Sequence, residues 1–311
     1  STSVGPRSML LPLLPASHRA LVGLRVARAQ VPIASLALPI ATGRSALAIA
    51  GVSGGLAVGA QLGLVVLFKR ARGRPWLSES PGFVAHQLIA LVFMSICTLY
   101  GGAAWFAPSA WAGDAASRFL LADGTTRFLA AMLFGELVLW DLPCAIWIKA
   151  LRRPDSIIHH FAMAAVAFNA AWLAPVYYGV FYLGFIELST IPLNVHEYFA
   201  HAARTAERAV SPSAASRAAV VRFRALRDGW QAAAAASFVA VRGLLFTLVS
   251  ARRFFPEILP LLAPSAAAHG LRGPLIGHAV SVLGFNVLQL YWLYLTLSYT
   301  LKNGVGGERP D

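Results

Sequence analysis

Residues Ser45–Phe68 read SALAIAGVSGGLAVGAQLGLVVLF, 24 residues without one charged side chain. A helix of that length rises about 36 Å, enough to cross a hydrocarbon core of about 30 Å. Outward from it, six more stretches read the same way: Gly82–Phe106, Thr126–Lys149, Ile157–Leu173, Val176–Phe199, Gln231–Ser250 and Gly277–Leu301. Hydrophobic residues make up 58% of the 311 and charged residues only 13%, against about 25% charged in an average soluble domain. That leaves too little polar surface to cover a water-soluble particle. The predicted fold class is therefore all-α, a polytopic membrane protein of about seven transmembrane helices. Three parts follow: a basic, acid-free N-terminal tail (1–44), the transmembrane domain (45–302) and a C-terminal tail (303–311).

The same composition excludes disorder, which needs low hydrophobicity and high charge density. It also excludes a disulfide-stapled scaffold, since Cys97 and Cys144 are the only cysteines and both lie in apolar runs. The formal net charge is +13, with 26 Lys and Arg against 13 Asp and Glu. Most cations lie in the connections and the tail, with no basic stripe interleaved with aromatics, so nucleic acid is not an expected partner. Seven spans place 15 cations on the face after the first span and 5 in the loops of the other. The positive-inside rule puts the richer face on the cytosolic or matrix-like side. Ala174–Pro175 separates spans four and five so briefly that a tight helical hairpin is expected. His201–Trp230, which alternates Ala with charge, reads as an interfacial amphipathic helix.

The first acidic residue is Glu79, so 78 residues carry nine Arg or Lys and no carboxylate. Acid-poor, Arg-rich N-termini are typical of organelle import segments, and the first residue is Ser rather than Met. The tail also holds Pro6, Pro12, Pro15, Pro32 and Pro39. It is expected to gain order by contact with other chains rather than on its own.

Ionisable groups inside hydrocarbon cost at least about 2.5–3.5 kcal/mol each and need a reason. Span three holds Glu136 and Asp141, span four opens with His159 and His160, and span five carries Glu187, Ser189, Thr190 and Asn194. Arg242 lies in span six, and His278, Asn286 and Gln289 lie in span seven. By depth, Asp141, His159, His160, Glu187, Thr190, Asn194, Arg242 and Asn286 can converge on one polar or lipid cavity open to the cation-rich face. The alternative is that they tie helices together by hydrogen bonds. Arg242 needs a carboxylate and is expected to pair with Glu187 or Asp141. Asp155 and His159, at i and i+4, fit either a helix cap or a carboxylate orienting a base. No metal site and no cofactor are expected, because no Glu-x-x-His or His-x-x-x-His pattern accompanies the histidine pair.

This order of residues resembles the TLC-domain family, which includes ceramide synthases and translocating-chain-associated proteins. The resemblance rests on Asp141 in Leu-Trp-Asp-Leu, the pair His159–His160, Asn169 ten residues after His159, and Glu187-Leu-Ser-Thr-Ile-Pro-Leu-Asn194. Arg242, and Asn286 with Trp292, complete it over roughly residues 45–302. It implies a TLC-like bundle and a role in acyl transfer or membrane-lipid homeostasis. Ceramide synthases carry His-Asp-x-x-Asp where this chain has Ile186-Glu187-Leu188-Ser189-Thr190. Acyl transfer would use His159 or His160 as base, Asp141 as its orienting partner, and Arg242 or Asn286 as oxyanion donor.

The favoured reading is a non-catalytic protein binding membrane lipid, an anionic phospholipid or a sphingolipid-like molecule. It serves as an accessory subunit of an organellar assembly, in the mitochondrial inner membrane, such as a respiratory complex or ATP synthase. The alternative is an acyl-CoA-dependent N-acyltransferase, with His159, His160 and Asp141 as catalytic candidates, or a lipid-homeostasis protein of the ER. A plastid membrane is the third location.

Overall fold

The computed structural model describes residues 43–71, 73–107, 114–208, 214–263 and 270–303. The expectations for the N-terminal tail and for most of the C-terminal tail lie outside the described residues. Seven longer helices carry the fold: α1 (Gly43–Lys69), α2 (Pro81–Trp105), α3 (Gly124–Glu136), α4 (Pro154–Phe168), α5 (Thr190–Arg208), α6 (Ala214–Ser237) and α7 (Arg272–Asn303). Three of them run on through π turns. α3 continues through Leu137–Asp141 to Trp147, α4 through Asn169–Leu173, and α6 through Phe238–Leu245 and Ser250–Phe254 to Leu262. Local signals fix several starts. Asp123 caps α3 through the Thr126 amide at 2.5 Å, and Pro81 and Pro154 occupy first helical positions where a missing N–H costs nothing.

Among the described residues, six helical runs are long and apolar enough to cross a membrane: Gly43–Lys69, Pro81–Trp105, Ala115–Trp147, Pro154–Leu173, Arg217–Leu262 and Arg272–Ser298. The protein is an all-α integral membrane protein. The seventh expected span, Val176–Phe199, differs. It is broken into a turn, a short helix Gly179–Tyr182, a 3-10 segment Phe185–Ser189 and the start of α5. The return crossing is nonetheless made: Tyr177 stacks on Trp105 at one end of α2, and His201 meets Phe83 at the other.

Glycine explains the break. A Cβ on Gly101 would stand 2.5 Å from the Gly184 Cα and 2.6 Å from the Phe185 amide. The segment therefore lies backbone to backbone against α2, closer than any regular helix with side chains allows. Ala174–Pro175 accordingly leads from α4 into this irregular segment, not into a second helix of a hairpin. His201–Trp230 is likewise not one helix. It is the end of α5 and the start of α6, packed antiparallel, with His196 Nδ1 3.2 Å from the Arg227 carbonyl and Phe199 beside Phe223.

α3 is the hub. Its span has 72% of its most apolar window buried inside the protein, against 11% for α7. α1, α2 and α4 surround it, and Trp140, Leu129 and Cys97 fill the space between them. α1 approaches so closely that a Cβ on Gly135 would overlap the Ala50 carbonyl. A second core, built on Tyr178, Phe181 and Phe254, joins the broken segment to α6 and α7.

Candidate functional site

Among the described residues, two ionic centres with a buried carboxylate each involve a π turn; a further pair, Arg118 with Glu257 at 2.7 Å beside Tyr178, is half-buried. The π turns add a residue to the helical repeat and re-aim the side chains around them, often at functional sites. Asp141 closes the turn in α3, and Arg242 lies within the turn of α6.

At the first centre, His86 Nε2 lies 2.7 Å from Asp141 Oδ1 and His160 Nδ1 lies 2.6 Å from Oδ2. The His86 contact is an aligned hydrogen bond. The His160 nitrogen approaches without the alignment a ring N–H bond needs, so its attraction to the carboxylate is electrostatic. His86 stacks on Trp140 at 4.6 Å. Trp140 Nε1 in turn donates to Gln61 Oε1 at 3.2 Å, and Gln61 Nε2 donates to the Gly82 carbonyl at 2.9 Å. The carboxylate thus holds an imidazole on each oxygen, one of them locked by a tryptophan.

At the second centre, Arg242 Nη2 donates to Glu187 Oε2 at 3.1 Å and to Thr190 Oγ1 at 2.8 Å, and its Nε donates to Ser189 Oγ at 2.8 Å. Thr190 Oγ1 donates to the same Glu187 oxygen at 2.6 Å. This is the expected carboxylate partner for a midplane guanidinium, and the two hydroxyls supply the further hydrogen bonds a buried pair requires. The 3-10 turn brings Glu187, Ser189 and Thr190 to one guanidinium.

Glu187 and Arg242 line a narrow cavity of about 40 Å³ between α4, the broken segment, α6 and α7. That is room for on the order of three waters. The rest of the wall is mainly apolar, with Met163, Val166, Phe254 and Phe285 among its residues. His159 also faces it, its ring edge-on to Phe285 at 5.6 Å and to Trp292 at 5.2 Å, and its buried Nδ1 has no partner. The adjacent histidines thus look in different directions, as neighbours about 100° apart on a helix must. Asp155 does not orient His159; it pairs with Arg153 at 3.0 Å on the exposed first turn of α4.

Of the eight residues read as one cavity, His159, Glu187 and Arg242 line this space, and Thr190 is hydrogen-bonded to Glu187 and Arg242. Asp141 and His160 belong to the other centre. Asn194 is half-buried with its Nδ2 unpaired, and Asn286 turns back to donate to the Val282 carbonyl of its own helix at 2.8 Å. His86 is the member the sequence reading passed over. Its signal was an ionisable ring inside the otherwise apolar Gly82–Phe106. Among the described residues, no group of three or more His, Cys, Asp or Glu is placed to hold a metal ion.

Residues 84–298, more than half of the chain and both ionic centres with it, match the family model of the TLC domain. The chain belongs to the TLC-domain family. No curated protein and no solved structure matches it. Within this TLC domain the histidine pair is divided between the two centres, and α1 lies outside the matched region while packing directly on the hub helix.

Proposed function

We propose that the protein binds a membrane lipid in the cavity beside Arg242 without turning it over. One observation carries this reading. Among the described residues two imidazoles line the cavity, His159 and His278, and no carboxylate is bonded to either, His278 Nε2 meeting the Ala174 carbonyl at 2.8 Å; Asp141, paired with His86 and His160, is not part of the cavity wall. General-base catalysis needs base and orienting partner in one place. The mainly apolar wall with a few polar groups is the usual make-up of a ligand site. Native mass spectrometry of the purified protein tests it. Retained lipid, with no acylated product on addition of acyl-CoA and a long-chain base, is the expected result. Product formation that vanishes in His159→Ala would establish the acyltransferase instead.

The wider reading is an accessory subunit of an organellar membrane assembly, the mitochondrial inner membrane foremost. Its support is the acid-free run before Glu79, with nine cations, and the six apolar helical runs that make up most of the described residues. Elution from mild detergent inside a large assembly is the expected outcome, and elution alone would overturn it.

A further inference from the structure

Resting on that lipid-binding reading, the cavity's unpaired atoms specify the head of the lipid. Phe285, Gln289 and Trp292 follow each other by four and three residues and share one face of α7. The His159 ring meets Phe285 and Trp292, and Gln289 lies between those two on the same face of α7. Gln289 is 1% exposed, lines the cavity, and its Oε1 has no hydrogen-bond partner. Buried His159 Nδ1 has none either. Buried polar atoms are almost always partnered, so two unpartnered ones on residues that line one cavity mark where a ligand's polar atoms go.

The chemistry of that ligand follows from what each atom accepts. The Gln289 oxygen is an acceptor and calls for a donor; the imidazole nitrogen can meet a hydroxyl in either tautomer, and an N–H when Nδ1 carries no proton. A carboxylate or phosphate head offers no donor to Gln289. The one cation in the wall, Arg242, is occupied through Nε and Nη2 by Ser189, Glu187 and Thr190. An anionic head would instead face Glu187 in the same wall. Below the polar end the wall is apolar past Met163, Val166 and Ala170. The 40 Å³ seats a head group alone, so an acyl chain needs this apolar wall to part, and Met163 is its pliable side chain. We propose that the cavity takes a single-chain neutral amphiphile with a hydroxyl or amide head seated between Gln289 and His159, and that it rejects carboxylate and phosphate heads.

The test compares dissociation constants of four probes sharing one oleoyl chain: 1-monooleoylglycerol, oleamide, oleate and oleoyl lysophosphatidic acid, each with the full chain purified in detergent. The neutral pair should bind at least about tenfold tighter than the anionic pair. Gln289→Leu should weaken monooleoylglycerol about fivefold to tenfold, the worth of one hydrogen bond, and leave oleate unchanged. Should that variant fail to fold, the head-group series on the unmodified protein decides alone. Met163→Trp, which plugs the bore, should abolish binding of all four. Anionic probes binding as tightly as neutral ones, with the plug still blocking, would overturn the head-group assignment and keep the lipid site. No probe binding at all, or binding indifferent to the plug, would overturn both and leave the cavity to water.

Discussion

The two ionic centres of this membrane domain use the same kinds of side chain and reach opposite states. Around Asp141, a carboxylate is shared by two imidazoles, one of them pinned by Trp140, and the group faces away from the cavity. Around Arg242, a full ion pair with two hydroxyl partners forms part of a cavity wall, and the imidazole beside it, His159, is left without a partner. The first arrangement contains no permanently charged group, since carboxyl and imidazole both have neutral forms. The second does, because guanidinium stays charged. A neutralisable cluster suits a helix junction, and a permanent pair of opposite charges next to an unpaired ring suits a binding wall.

Breaking the permanent pair should therefore cost most. Glu187→Gln leaves a buried guanidinium uncompensated, with an expected loss of about 3–5 kcal/mol in thermal unfolding of the detergent-solubilised protein. The double variant Glu187→Gln/Arg242→Leu should recover much of it. A double variant no better than the single would show that the pair is not the unit.

Asp141→Asn should cost less, about 1–3 kcal/mol, since it weakens one hydrogen bond, to His86, and the electrostatic contact with His160 without leaving a permanent charge unpaired. A loss equal to that of Glu187→Gln would erase the contrast between the centres. Smaller still is His159→Phe, which replaces an unsatisfied ring by an apolar one of similar shape between Phe285 and Trp292. Stability should change by about 1 kcal/mol or less in either direction.

The smallest effect sharpens the comparison from outside the spanning runs. His201 is buried against Phe83 with no carboxylate bonded to it, and burial, with Arg204 and Arg208 adding to it against the opposing pull of Glu79, holds its pKa below the ordinary value. The folded protein then binds this proton less readily than the unfolded chain. The stability it contributes is complete above about pH 6.5 and is lost as pH falls below that. Melting temperature between pH 7 and 5 should fall less steeply in His201→Gln than in the parent, and identical slopes would remove His201 from the account.

Much of this was legible because its cause is local. Six uninterrupted apolar stretches appear as membrane-crossing runs, and the partner of Arg242 follows from the cost of an unpaired cation. The broken return crossing was hidden, since Val176–Phe199 has the hydropathy of a span and its interruption comes from the contact of Gly184 with Gly101, 83 residues earlier. The division of the polar residues into two centres was hidden for a related reason. Depth along a helix can be counted, but the π turns at Asp141 and Arg242 change the direction in which side chains point. His86 could have been found; it needed the same scrutiny given to the other intramembrane ionisable groups.

The irregular stretch also dictates an order of assembly. Backbone amides and carbonyls outside a regular helix cannot be left facing lipid at membrane depth, and they are tolerated there only when enclosed by protein. Val176–Ser189 precedes α6 and α7 in the chain, yet Tyr178 and Phe181 belong to a core that those later helices complete. Insertion of the chain therefore cannot proceed as seven independent helices that associate afterwards. The segment waits, sheltered by α2 or by the insertion machinery, until α6 arrives with Arg242 and closes it in.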